Sequence, residues 1–366
     1  MSTLVESRRF VERRYQAVTS LGLLALLVGV CLVTDLLARN RGLENLLTAL
    51  SREFSEKTGT IFLNAGNFID FEDRVLLDEI PQADYSGGGV YFFGSSNMKW
   101  AFTTWDLPVE EKRLIGNYGI GAASHTDQLR LIQHLINQRG FLAAGKRDLV
   151  ILGVTFQVGR QDSSTGYFAS LFRRHGLYTI TPDGQIDPVP MSAVERWLRI
   201  EKARSGGFIW NLGRVIKGWV TTLAGSRRPQ PRGIASPDNY LGFMGGAQWQ
   251  QNMDAELERL RETIDLLRSH QVQVKVMLLP EATWDNELPY KPLYETKIRA
   301  LSQATSTPLI DLSHAMPDTA FADSSHLTVD GQTKFRDLIM REISGHLQKL
   351  KNIDRSSRAD LDRSGP

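Results

Sequence analysis

Four short apolar runs, Val90–Phe93, Asp148–Val154, Val272–Pro280 and Pro308–Ser313, punctuate the chain with helical patterns between them. Each is too short for an ordinary helix and too continuously apolar for a strand with one wet face. Such runs suit strands buried on both faces, and burying both faces requires helices on either side of a mainly parallel sheet. The intervening stretches have the necessary apolar spacing. They are "HTDQLRLIQHLINQRG" beyond the first run, "DAELERLRETIDLLRSH" leading into the third, "YETKIRALSQATS" before the fourth and "VDGQTKFRDLIMREISGHLQKL" at the close. The sequence therefore predicts an α/β domain.

A different kind of run stands near the start. Gln16 to Thr34 carries no charge over nineteen residues, close to the roughly twenty that a bilayer-spanning helix needs. Arg8, Arg9, Arg13 and Arg14 precede it and favour a cytoplasmic N-terminus, although Arg39 and Arg41 follow. No small-residue cleavage site follows the run, so an uncleaved anchor is expected rather than a signal peptide. The organisation read from this is a cytoplasmic segment 1–15, a transmembrane helix 16–38 and a stalk and lead-in 39–87. The α/β domain over 88–352 and a disordered charged tail 353–366 follow. That places the domain in the periplasm, anchored to a bacterial cytoplasmic membrane.

Other classes are excluded. A formal net charge of +2 gives no footprint for nucleic acid. Cys31 is the one cysteine, so neither a disulfide framework nor a cysteine-based metal site is available. No glycine-rich phosphate loop ending in Lys-Ser or Lys-Thr occurs, and no spacing argues for zinc or calcium. No cofactor is expected. Between about 187 and 239 the helix–strand alternation breaks. Trp197, Trp210 and Trp219 there lie among Arg196, Arg199, Lys202, Arg204, Arg214, Lys217, Arg227 and Arg228. A basic tryptophan-bearing segment suits a membrane surface or a partner helix; it equally suits an insertion whose aromatics pack on the main domain.

Three short motifs carry chemistry. The first apolar run ends in Gly94-Ser95-Ser96, which puts a serine at the carboxyl edge of a sheet, where α/β proteins hold their ligands. Far downstream, Asp323 and His326 stand three apart before the last helix. A serine hydroxyl needs an imidazole to take its proton, and the imidazole needs a carboxylate to set its tautomer. The third is "NYGIGAASHTDQL", Asn117 to Leu129, whose glycines can present unhindered backbone N–H groups to an oxyanion. Each motif also has a plain structural reading, as a turn, a helix cap or a solvated histidine. His134, His175, His270 and His346 fall on or beside helices and read as surface residues.

Taken together, the motifs resemble the SGNH (GDSL-like) hydrolase superfamily. Its Gly-x-Ser turn is matched by Gly94-Ser95-Ser96. Its glycine turn before a helix is matched by Asn117-Tyr118-Gly119-Ile120-Gly121, and its closing Asp-x-x-His by Asp323-Ser324-Ser325-His326. The resemblance implies a three-layer, flavodoxin-like α/β/α domain. It implies Ser96 as nucleophile, His326 as general base and Asp323 as its orienting partner, with oxyanion donors at the N–H groups of Ser96 and Gly119. Two positions depart from the pattern. Ser95 stands where the family usually has Asp. Thr155 falls in Gly153-Val154-Thr155-Phe156, where an Asn amide donor is usual, and its hydroxyl is the substitute donor. An anchored domain of this type is similar to proteins that assist acylation of cell-surface polymers, such as the D-alanyl lipoteichoic acid transfer protein and polysaccharide O-acetylation proteins. That similarity implies a glycan ester substrate and a membrane-bound O-acyltransferase as partner.

Overall fold

The computed structural model describes residues 85–101, 107–159, 167–181, 184–203, 244–283, 288–321 and 324–363, with single positions elsewhere. Its strands are β1 (Val90–Phe93), β2 (Ile115–Asn117), β3 (Leu149–Val154), the antiparallel hairpin pair β4 (Tyr178–Ile180) and β5 (Ile186–Pro188), β6 (Gln273–Leu278) and β7 (Leu309–Asp311). Among the described residues five of these form one parallel sheet in the order β2-β1-β3-β6-β7. Counted along the sheet's own strands this is the 2-1-3-4-5 order. It reverses direction between β1 and β3, and open sheets of this kind hold their ligands beyond the strands' carboxyl ends at such a place.

The helices are α1 (Ser96–Lys99), α2 (Val109–Lys112), α3 (His125–Arg139), α4 (Tyr167–Arg174), α5 (residues 193–203), α6 (Trp249–Ser269), α7 (Tyr290–Ala304) and α8 (Val329–Arg363). Strand alternation sorts them into two layers. Tyr91 and Phe93 of β1, with Val150, Leu152 and Val154 of β3, join one core cluster with Ile132, Leu260, Ile264 and Ile298 from α3, α6 and α7. Val90, Phe92, Leu149 and Ile151 point the other way, against Phe335, Ile339, Ile343, Leu347 and Leu350 along one face of α8. Burying each such large side chain contributes about 1.5–3 kcal/mol. The result is a three-layer α/β/α fold.

The structure departs from the sequence reading in several places. Strand β2 is not among the four predicted runs; its three residues, Ile-Gly-Asn, leave no pattern to detect, and its last, Asn117, opens the stretch read as a glycine turn. Leu76, Ile80 and Tyr85 are buried in the first cluster, so the domain's packing begins upstream of residue 88. The closing helix runs on to Arg363, through a stretch expected to be a disordered tail. From residue 353 on the sequence has no proline or glycine before Gly365, so nothing there stops the helix. His134 is buried rather than at the surface, and its Nδ1–H donates to the Ile186 carbonyl at 2.8 Å. Ser124, His125 and Asp127 have structural work: Ser124 and Asp127 close a capping box on α3, and His125 bonds the Tyr294 hydroxyl at 2.8 Å.

Most of the predicted span 16–38, most of the stalk and most of 204–239 lie outside the described residues. Described positions between 19 and 36 are helical, with Leu26, Val30, Leu32, Val33 and Leu36 exposed. Among the described residues no helix is long and apolar enough to cross a membrane. In α5, Val194, Trp197 and Leu198 are exposed, while Ala203 and the partly buried Ile200 pack beside Leu177.

At the amino end of β3, Asp148 is fully buried. Its Oδ1 accepts the Gly89 N–H at 3.1 Å, and its Oδ2 has no hydrogen-bond partner among the described residues. Burial pushes its carboxyl up to about 6, against the pull of the Gly89 bond and of Arg147. The folded chain thus holds this proton more tightly than the unfolded chain, so the group's stabilising effect is whole below about pH 4 and is lost as pH rises towards 6. Asp148→Asn keeps the acceptor for Gly89 and removes the titration. It is expected to raise Tm by roughly 2–4 °C near neutral pH and to change little at pH 4. An equal shift at both pH values would show that the burial of charge is not the cause.

Candidate active site

The turn after β1 is built around α1. Ser95 caps it, with its hydroxyl accepting the Asn97 N–H at 3.4 Å, and the Lys99 N–H closes on the Ser95 carbonyl at 3.0 Å. Three glycines at neighbouring strand ends make room for this short helix. A Cβ on Gly94 would lie 2.5 Å from Met98 Cβ, and one on Gly153 would lie 2.4 Å from Met98 Cε. A Cβ on Gly119 would lie 2.4 Å from the Lys99 backbone nitrogen. The helix is thus set into the carboxyl edge of the sheet, over β1, β2 and β3 together. Ser96, its first residue, remains partly exposed at that edge.

The loop before α8 arrives at the same place from the far end of the chain. Ala282 N–H, beyond β6, donates to the Ser324 carbonyl at 2.9 Å, and an isolated bridge pairs Phe321 with Leu327. His326 then reaches α1. Its Nε2 lies 2.9 Å from Ser96 Oγ across 230 positions of sequence. For the serine to donate, Nε2 must be the acceptor, so the ring's proton is on Nδ1. Nδ1 faces Ser325 Oγ at 3.5 Å, too long to orient the ring strongly. Asp323, expected to orient it, lies outside the described residues.

The expected oxyanion donors are arranged less simply. The Gly119 N–H donates to Asn117 Oδ1 at 3.1 Å, while Asn117 Nδ2 donates to the Met98 carbonyl at 3.1 Å. Gly119 therefore serves the close approach of two backbones, and its N–H is already taken up by an Asx turn. Thr155 follows β3 directly and is 2% exposed, yet its Oγ1 has no hydrogen-bond partner among the described residues. A buried hydroxyl left unpaired is costly.

Asn97, the next residue after Gly94-Ser95-Ser96, is given no role from sequence. In the structure it is buried and bonds the Ser325 carbonyl at 3.0 Å. At the start of α3, His125 is buried with its ring pushed down to about 3, chiefly by desolvation, so it stays neutral. Burial first, then the charges of Glu281 and Glu256, push the Tyr294 hydroxyl up. Among the described residues no group of three or more His, Cys, Asp or Glu is placed to hold a metal ion.

No family model matches the chain, and no curated protein matches its sequence. Among solved structures it is similar to a Bacteroides fragilis protein described as a "putative acylhydrolase", at 13% identity over 75% of this chain and 94% of that one, with a TM-score of 0.40. A likeness of that degree says nothing about chemistry. The site rests on its own geometry: a serine and an imidazole in hydrogen-bond contact at the reversal point of a three-layer α/β/α sheet.

Proposed function

We propose that the chain is an SGNH-like serine O-acyl esterase or O-acyltransferase. The observation that carries this is the 2.9 Å contact between Ser96 Oγ and His326 Nε2. Ser96 attacks the ester carbonyl while His326 takes its proton, and an oxyanion forms on the tetrahedral carbon. When that intermediate collapses, the C–O bond to the alcohol breaks and His326 returns the proton to the departing alkoxide. The acyl-serine is then attacked by water or by an acceptor hydroxyl, which gives its proton to His326; the bond from the acyl carbon to Ser96 Oγ breaks and His326 returns that proton to the serine. Asp323 holds the Nδ1 proton. The Ser96 N–H and the Thr155 hydroxyl face the oxyanion, and Gly119 contributes once Asn117 gives up its N–H.

On this reading the ester is an O-acyl group on a cell-surface or secreted glycan, and the domain works outside the cytoplasmic membrane from the anchor at 16–38, beside a membrane-bound O-acyltransferase. The motif order, the uncharged run 16–34 and its exposed apolar side chains support it. One observation favours transfer over hydrolysis. With the Gly119 N–H engaged and a threonine in place of an amide, the oxyanion is weakly held, and one missing donor costs about a hundred- to a thousandfold in rate. That loss slows attack by water and by an acceptor hydroxyl alike, and an acceptor held against the acyl-serine offsets it through its positioning. A non-catalytic scaffold that uses the same cleft to organise the acyltransferase is the second reading. It predicts undiminished cellular polymer acylation in a Ser96→Ala strain.

The test is ester turnover by the full chain in detergent, on a p-nitrophenyl ester series with and without a glycan acceptor. Release of p-nitrophenolate from short acyl esters is expected, and it should speed up when acceptor hydroxyls resolve the acyl-serine. No release from any ester under either condition would contradict the proposal.

A further inference from the structure

We propose that Asn97 is a positioning residue that clamps the loop carrying His326 to the helix carrying Ser96. The inference rests on the reading of Ser96 and His326 as nucleophile and base. Asn97 is the second residue of α1 and only 6% exposed. Its amide is engaged on both sides: Oδ1 accepts from the Ser95 hydroxyl at 2.9 Å, and Nδ2 donates to the Ser325 carbonyl at 3.0 Å. The orientation follows from chemistry. The Ser325 carbonyl can only accept, so the amide nitrogen faces it, and the amide oxygen is left for the Ser95 hydroxyl.

Ser325 immediately precedes His326. The carbonyl that Asn97 holds therefore belongs to the peptide plane whose nitrogen is His326's own. Fixing that plane fixes where the imidazole leaves the backbone, on a site 228 positions away in sequence from the clamp. Two backbone ties of this loop run elsewhere. The Ala282 N–H holds the Ser324 carbonyl from the end of β6, and the Thr328 N–H bonds the Ala320 carbonyl at 2.8 Å within the preceding turn. The Asn97 bond runs instead to the nucleophile's own helix, one residue beyond Ser96. Nucleophile and base are thus held relative to each other, and not merely each to the sheet. Ser95 belongs to the same device, because its hydroxyl receives the Asn97 N–H and donates to the Asn97 side chain. Where related turns carry an aspartate, this chain has a serine that locks an asparagine.

The test uses the full chain and a fluorophosphonate, in which an activated serine displaces fluoride and forms a covalent P–O bond. The wild-type adduct is expected on Ser96. Asn97→Asp keeps the shape of the side chain but turns an oxygen towards the Ser325 carbonyl. Its limiting rate of labelling is expected to fall about thirty- to a hundredfold, with the half-saturating concentration within about threefold, because an ångström of misplacement costs about that much in rate. The final labelled fraction should match wild type. A wild-type limiting rate overturns the clamp. So does a reduced labelled fraction whose remainder reacts at the wild-type rate, which is the signature of lost folded protein alone. Should Asn97→Asp fail to fold, Ser95→Ala decides: it frees one side of the amide and is expected to slow labelling about three- to tenfold, the worth of one modest hydrogen bond. A wild-type rate there overturns the clamp as well. The two inferences fail separately. If Ser96→Ala is labelled as fast as wild type, the nucleophile assignment falls and the clamp with it. If labelling is on Ser96 and the Asn97 variant is unaffected, the clamp alone falls.

Discussion

Ser96→Ala and His326→Ala are each expected to lower ester turnover by about four orders of magnitude or more, and the double variant should be no slower than either single one. The reason lies in how the pair works. Without His326 the hydroxyl keeps its proton and is a poor nucleophile; without Ser96 the imidazole has nothing to activate. Each deletion removes the same step, so the losses do not add. KM should change little in any of the three, because neither group holds the ester before attack. Folding should survive, since Ser96 is partly exposed and donates no side-chain bond that the core depends on. Losses that multiply in the double variant would mean that the two residues act independently, and their 2.9 Å contact would then be incidental to turnover.

The second large effect is expected from Gly119→Ala. The added methyl would sit 2.4 Å from Lys99 N and 2.8 Å from Lys99 Cα, so it meets main chain rather than a side chain that can swing aside. Either the turn after β2 or α1 must move. Overpacking of this kind costs about 1–3 kcal/mol of stability. A shift of α1 also moves Ser96 against His326, and an ångström there costs about a hundredfold in rate. Turnover should therefore fall much further than stability. Gly87→Ala serves as the control, because nothing lies within 4 Å of its added methyl, and its stability should stay within about 0.5 kcal/mol of wild type. Unfolding in denaturant and ester turnover, measured side by side, check both. A Gly119→Ala protein with wild-type stability and rate would mean that α1 is not seated as described.

Strands β1, β3, β6 and β7 were legible in the sequence because each falls on a short apolar run; β1 and β3 are buried throughout, while Gln273 of β6 and Asp311 of β7 are exposed. Strand β2 was not: it is three residues long with Gly116 at its centre, and it owes its place to pairing with β1. Its invisibility also hid the role of Gly119. Read as a turn, that glycine looked like a free oxyanion donor; placed after β2, it is the point where two backbones touch. The Asx turn that occupies its N–H was readable in principle, since Asn followed two residues later by Gly is the pattern that makes one. The approach of Ser96 and His326 was legible because each stands where a parallel sheet presents its ligand edge. Asn97 was not, because a bond to a main-chain carbonyl 228 residues away leaves no mark on residue type. For His134 the spacing gave the helix, but not the β5 carbonyl that covers the ring.

Whether Ser96 carries the acyl group can be read by trapping the acyl-enzyme. The full chain would be mixed with p-nitrophenyl acetate, quenched in acid within the first turnover and digested for mass spectrometry. An acetyl group on Ser96 is expected, formed in step with a burst of p-nitrophenolate and absent from His326→Ala. Ester consumed without acetyl on Ser96, or acetyl on another side chain, would contradict Ser96 as the acyl carrier.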